Sequence, residues 1–170
     1  MSNIHLLTLL EFSVDGPRGV QQRFEKVPNL LHNSGEEFLL RAAFTGGRSS
    51  TVVPDFYYLG LDNRQSVEPE DVMSDVVGEP GGGGYERRGV SSSGDFSVNF
   101  ESDHYLATSP IVAFRSTVSD WGPVSNLFLM ADDGSSQTLI STIVLPNPVV
   151  VETGRHITMR LGLSLRPHTS

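Results

Sequence analysis

The run Gly78-Glu79-Pro80-Gly81-Gly82-Gly83-Gly84-Tyr85-Glu86-Arg87-Arg88 constrains this chain more than any other stretch. Glycine reaches positive φ without steric cost, but it loses the most backbone entropy on ordering. Four in a row are either a slack linker between two bodies or a backbone path that no other residue follows. The residues that come next favour the second reading. Tyr85 can anchor the exit of the loop, and Arg87 and Arg88 can fix it by hydrogen bonds. Gly81, Gly82, Gly83, Gly84, Tyr85 and Arg87 are therefore read together as a structural turn. A phosphate-binding loop would need a Lys-Ser/Thr pair opening a helix. Here Tyr-Glu-Arg-Arg leads into a strand instead, and no helix N-terminus is placed to meet an anion.

Strand-like stretches flank the turn on both sides. Residues 4–14 read as a buried strand, Gly16-Pro17 as a turn, and 19–27 as a returning strand ended by Pro28. Residues 34–44 carry the clearest helical pattern. Ser34 and Glu37 have capping-box spacing, Phe38, Leu39, Ala42 and Ala43 form an apolar face, and Glu37 and Arg41 make an i, i+4 pair. Residues 45–54 read as a surface loop after the Gly46-Gly47 stop. Residues 55–61 form an aromatic-rich strand. Residues 69–77, with Pro69 at the start and Gly78 past the end, predict a short helix.

Beyond the glycines the pattern is strand and turn: 85–90, 96–100, 111–115, 125–131, 138–145 and 156–165, with Asp132 to Ser136 as a hairpin loop. The last strand alternates most cleanly, with Ile157, Met159, Leu161, Leu163 and Leu165 on one side and His156, Thr158, Arg160, Gly162 and Ser164 on the other. Roughly seven to nine short strands with two minor helices predict a mainly β, antiparallel β-sandwich or jelly-roll-like fold. Neither side of the glycine run holds enough strands for a closed sandwich. Residues 1–170 are accordingly read as one domain, with residues 1–28 as an N-terminal arm or hairpin.

Bulk properties narrow the chemistry. The chain has 170 residues, 38% of them hydrophobic and 19% charged, which suits a folded domain with a real core. Its formal net charge is −8 and Lys26 is its single lysine, a poor balance for holding nucleic acid by its phosphates. It has no cysteine, so disulfides, thiolate metal sites and a Cys nucleophile are excluded. The apolar stretch Ile4 to Leu10 is short and lacks the basic lead-in and small-residue cleavage site of a secretory signal. No run approaches the ~18–20 apolar residues of a membrane-spanning helix.

Each candidate for chemistry has a plainer counterpart. His5, His32, His104, His156 and His168 show no HxH or HExxH spacing, so scattered core or surface histidines weigh more than a metal site. Glu68, Glu70, Asp71, Asp75, Glu79, Asp132 and Asp133 could supply the opposed carboxylates of a glycosidase. The plainer reading of the same residues, solvated faces and helix N-terminal charge, weighs more. Asp132-Asp133-Gly134 lacks the remaining ligands of a calcium loop, and no Gly-x-Ser-x-Gly elbow occurs. Tyr57, Tyr58, Tyr85, Tyr105 and Trp121 could form a sugar-stacking platform if exposed, but such residues are more often core or interface anchors. No cofactor and no catalytic residue is expected.

The order of the motifs is more specific than any one of them. Tyr57-Tyr58-Leu59-Gly60-Leu61 comes first, followed by a short helix ending in Gly78-Glu79-Pro80 and the glycine turn into Tyr85-Glu86-Arg87. Next come Ser109-Pro110-Ile111 with Phe114, and then Trp121-Gly122-Pro123 before Leu127-Phe128-Leu129. Leu139-Ile140 and Val151-Glu152-Thr153-Gly154 before the alternating strand close the set. This order resembles a family of small tailed-bacteriophage virion proteins, whose pattern is a yxGL strand, an EPxGGGYxR turn, a central aromatic residue and a v..Gd turn before the last strand. The Asn33-Ser34-Gly35-Glu36 helix start is similar too. The resemblance covers about residues 29–166 and departs at Glu86, where the family often has alanine.

The resemblance implies a non-enzymatic virion structural protein, assembled in the host cytoplasm. Within that class it implies a capsid decoration (cement) protein that binds the major capsid protein as a homo-oligomer such as a trimer, without contacting nucleic acid or membrane. The alternative within the class is a neck, tail or fibre subunit, and outside it a carbohydrate-binding β-sandwich module. Ile4, Leu6, Leu7, Leu9 and Leu10, read as an inter-subunit strand or an ordinary core strand, and Trp121 are the candidate interface residues.

Overall fold

The computed structural model describes residues 4–16, 19–24, 27–44, 53–81, 83–101 and 104–167. Its strands are β1 (Ile4–Gly16), β2 (Gly19–Phe24), β3 (Val27–Pro28), β4 (Leu30–Leu31), β5 (Phe56–Asp62) and β6 (Arg88–Ser91). They continue with β7 (Ser97–Glu101), β8 (His104–Thr108), β9 (Val112–Arg115), β10 (Trp121–Asp132), β11 (Gln137–Val151) and β12 (His156–Pro167). An α-helix, α1 (Asn33–Phe44), lies between β4 and β5.

The described strands form two antiparallel sheets. The first runs β2-β1-β12-β8-β7, with β3 also on β1 and β9 also on β12, and the second runs β4-β11-β10-β5-β6. The sheets bury their facing sides against each other. Phe12, Val14, Phe114, Ile157, Met159 and Leu161 of the first share one core with Leu59, Leu61, Leu127, Leu129, Ile143 and Val149 of the second. This is a β-sandwich of the mainly β class. The alternation in β12 is what the core requires: Ile157, Met159 and Leu161 are buried, while His156 and Arg160 are half-buried on the other face.

β10 reads as continuous apolar sequence because both of its faces are covered. Leu127, Leu129 and Ala131 face the sandwich. Phe128 and Met130 point the other way and pack with Val76 and Leu139, beneath Tyr58 and Met73. α1 lies against β11, and the Phe38 ring meets Tyr57 edge-on at 6.3 Å.

Several local expectations are corrected. Residues 69–77 form only a single 3-10 turn at Met73–Asp75. Its polar groups are committed elsewhere: the Pro69 carbonyl accepts from Asn33 N–H, the Asp71 carboxylate accepts from Arg64 Nη1 and locally from Glu68 N–H, and just before the segment the Glu68 carbonyl accepts from His32. The Ser34–Glu37 capping box does not form, because Ser34 Oγ donates to the Leu139 carbonyl on β11 (2.7 Å) and the helix starts at Asn33. Glu37 pairs with Arg41 at 2.7 Å, as the spacing predicts. Phe38 is buried and Leu39 and Ala42 are half-buried, but Ala43 is exposed. The returning strand over 19–27 is described as β2 and β3. β8 has no counterpart in the sequence reading, and β10 and β11 extend well beyond the predicted limits. The Gly46-Gly47 stop and most of the 45–54 loop lie outside the described residues.

Candidate functional site

The glycine turn leads into a cluster that joins the two sheets. Gly83 and Gly84 have φ of 70° and 81°, the left-handed region that side chains with a Cβ rarely adopt. Gly81 shows no such value, and a Cβ placed on it would meet nothing within 4 Å. Gly82 lies outside the described residues. Among the described glycines of the run, the backbone requires glycine at Gly83 and Gly84. Gly83 is also held from outside, where its carbonyl accepts from Thr117 N–H at 3.3 Å.

Tyr85 leaves the turn and inserts its ring between the sheets. It stacks nearly parallel on Phe114 of β9 at 6.1 Å and meets Trp121 of β10 edge-on at 5.7 Å. Its hydroxyl accepts from Leu61 N–H at 2.9 Å and donates to Glu79 Oε1 at 2.7 Å. Burial, reinforced by the Glu79 carboxylate, drives the phenol pKa far upward, so the group stays a neutral donor. One side chain thus connects β5 and β10 of one sheet with β9 of the other.

Glu79 closes the cluster. It accepts from Tyr85 and from Arg87 in a bidentate pair, Nε to Oε1 at 3.0 Å and Nη2 to Oε2 at 2.6 Å. The pair raises the Arg87 pKa further. Arg87 also lies 5.6 Å from the centroid of the Phe128 ring and donates through Nη1 to Gln137 Oε1 at 3.2 Å. Gly60 makes room on β5 for that ring, because a Cβ at Gly60 would overlap it. Arg88, also expected to fix the loop, pairs instead with Glu86 at 3.6 Å.

A second polar group, of which the sequence pointed only to Asp71 as one carboxylate among several, pins the segment between β5 and the turn. The Asp62 carboxylate is buried and accepts from Asn63 N–H and Arg64 Nε. Arg64 Nη1 reaches Asp71 Oδ2 at 2.8 Å, and Asn126 Nδ2 donates to the Arg64 carbonyl. The signal available in sequence was Asp-x-Arg directly after an apolar strand. Buried charges of that kind need partners.

The other sequence candidates disperse. Trp121 is only 2% exposed and belongs to the core, so it presents no ring at the surface, either for a partner or for a sugar. Tyr57 packs with Phe38 and Phe96, Tyr105 with Phe100, and Tyr85 with Phe114, so the aromatic residues form no single platform. His32 is buried. Its Nδ1 donates to the Glu68 carbonyl, which leaves Nε2 to accept from the Thr142 hydroxyl at 2.8 Å, and burial lowers its pKa. Asp133 caps the β10–β11 loop, where Ser135 and Ser136 donate to it and hold its pKa down to about 2.

Ser13, Asp15 and His156 lie together on the outer face of the first sheet, but the carboxylate is in the middle. Ser13 Oγ donates to Asp15 Oδ2, and His156 Nε2 lies 3.4 Å from the same oxygen. A nucleophilic triad needs the imidazole between the hydroxyl and the acid. Among the described residues no group of three His, Asp or Glu side chains is placed to hold a metal ion.

The N-terminal candidates Ile4, Leu6, Leu7, Leu9 and Leu10 lie on β1, whose backbone runs between β12 on one side and β2 and β3 on the other. Leu7 pairs with Leu163, and Leu9 with both Leu161 and Val27.

No family model matches this chain, and neither a curated protein nor a solved structure matches it. The functional reading therefore rests on the residues themselves.

Proposed function

We propose that this chain is a non-enzymatic structural component of a tailed-phage virion. We further propose that it acts as a homo-oligomeric decoration protein, trimeric or otherwise, that stabilises the major capsid lattice. The observation that carries this reading is the convergence of the resemblance motifs on one cluster. Leu61 of the yxGL strand, Glu79, Tyr85 and Arg87 of the EPxGGGYxR turn, the central Phe114, Trp121 of Trp-Gly-Pro and Phe128 are scattered over 68 positions, 61 to 128. All of them meet through Tyr85 or its partner Arg87. A signature that knits the two sheets of a small domain is what a rigid building block would keep. The Glu79 and Tyr85 polar groups are spent on each other and on Arg87, an arrangement suited to holding shape.

A decoration protein acts by mass action: many copies, each burying a modest surface across subunit seams, add up to a large stabilisation of the shell. Particles of the encoding phage assembled without this chain are expected to open at lower temperature or milder osmotic shock than complete ones. Adding the purified chain back is expected to restore them. Equal resistance with and without the chain would count against a stabilising role in the head.

A further inference from the structure

Among the described residues β7 is one of the two outer strands of the first sheet, the other being β2, which carries Gly19 and Arg23. On the opposite sheet, β11 beyond its short partner β4 carries Pro146 and Pro148, which cannot donate to an added strand. β6 carries Arg88 and Gly89. β7, Ser97-Val98-Asn99-Phe100-Glu101, has no Pro, Lys, Arg or Gly, and all five of its residues are exposed. Among the described residues its neighbour β8 pairs with β12 at Gly162↔Thr108 and Leu163↔Ala107. The ribbon carries an apolar face toward solvent, with Val98 64%, Phe100 63% and Tyr105 68% exposed. Phe100 lies opposite Tyr105, ring to ring at 5.2 Å, and Val98 lies opposite Ala107. A two-stranded ribbon with one face unpartnered gains little from its own contacts.

We infer that β7 pairs edge to edge, antiparallel and about a two-fold axis, with β7 of a second copy of this chain. The strand is self-complementary about Asn99. In that register Val98 stands opposite the partner's Phe100, Asn99 opposite the partner's Asn99, and Ser97 opposite the partner's Glu101. Each carboxylate meets a hydroxyl donor. The two copies of Glu101 are four residues apart along the ribbon, roughly 14 Å, beyond the Debye length of about 8 Å at physiological salt. For a chain of net charge −8, that separation matters, because general self-repulsion works against association. The paired ribbons align two rows on one face, each running Tyr105, Phe100, then Val98 and Ala107 of the partner. Aromatic and β-branched neighbours of this kind are the favourable cross-strand pairs. The contact is isologous and closes on itself.

A five-residue strand pair is small beside the roughly 1,200 Å² of a standard interface, so covalent trapping is the appropriate measurement. The chain has no cysteine, which makes a single introduced thiol unambiguous. Opposed residues of paired antiparallel strands have Cα atoms about 4.5–5.5 Å apart, within disulfide reach. Under mild oxidation, purified Asn99→Cys is expected to form a covalent dimer roughly tenfold or more faster than Val118→Cys, an exposed control away from the edge. Adding Phe100→Lys to the Asn99→Cys protein should slow it to the control rate without lowering its melting temperature. Dimerisation of Asn99→Cys no faster than Val118→Cys, or unaffected by Phe100→Lys, would overturn the inference. The pairing deepens the homo-oligomer part of the proposed function and rests on it. The test uses purified protein, so its failure is separate from failure to find the chain in virions.

Discussion

Tyr85→Ala is expected to be among the most destabilising single changes in this protein, and Tyr85→Phe is expected to separate its two roles. Truncation to alanine removes a ring that stacks on Phe114 and meets Trp121 edge-on, opening a void between the sheets. Loss of a large aromatic side chain from a core costs about 3–5 kcal/mol. Tyr85 is half-buried, which places it near 3 kcal/mol, the lower end of that range. Phenylalanine keeps the ring and strips the hydroxyl from between Leu61 N–H and Glu79. Leaving such groups unsatisfied costs about 1–3 kcal/mol. At roughly 2–4 °C per kcal/mol for a chain of this size, thermal melts resolve the order wild type, Tyr85→Phe, Tyr85→Ala. If both variants melted with the wild type, Tyr85 would not rivet the sheets.

Gly83→Val is expected to be damaging where Gly81→Val is nearly silent. At Gly83 the φ of 70° forces a β-branched residue into the left-handed region, and a Cβ there would stand 2.5 Å from Ser119 Oγ. The conformational strain alone is of order 1–3 kcal/mol. A Cβ at Gly81 would point into open space, and surface changes of that kind stay within about 0.5 kcal/mol. Chemical denaturation of the two variants side by side reads the difference directly. Equal midpoints would mean that the glycine run is slack after all.

The parts of this fold that could be read in the sequence were those fixed by local periodicity. Ile157, Met159 and Leu161 alternate with polar neighbours because one side of β12 meets the core, and that pattern needs no tertiary knowledge. Phe38 and the Glu37–Arg41 pair follow from helical spacing in the same way. The turn at Gly83 and Gly84 was legible because only glycine tolerates their backbone.

What escaped was set by partners distant in sequence. The segment 69–77 has the composition of a helix, but Asp71 and the carbonyls of Glu68 and Pro69 bind Arg64, His32 and Asn33 instead. Ser34 found a strand carbonyl more accessible than its own helix amide. β8 is five residues long with a single buried side chain, Leu106, described among them, too short for its period to stand out. In the candidate cluster, Tyr85 and Arg87 announced themselves by following the glycines. Glu79 was visible only as one carboxylate among many, since nothing local shows that Tyr85 and Arg87 fold back onto it. Trp121 looked like a surface anchor by residue type, but its place next to Tyr85 puts it in the core.

The central claim, the proposed structural role in a phage virion, is tested most directly by the copy number of this chain in purified particles of the phage that the proposal expects to encode it. Quantitative mass spectrometry against the major capsid protein measures it. A lattice decoration protein is expected at hundreds of copies per particle, in fixed ratio to the coat subunits. Six, twelve or a small multiple would move the chain to the neck or tail. Its absence from particles that are otherwise complete would contradict the account.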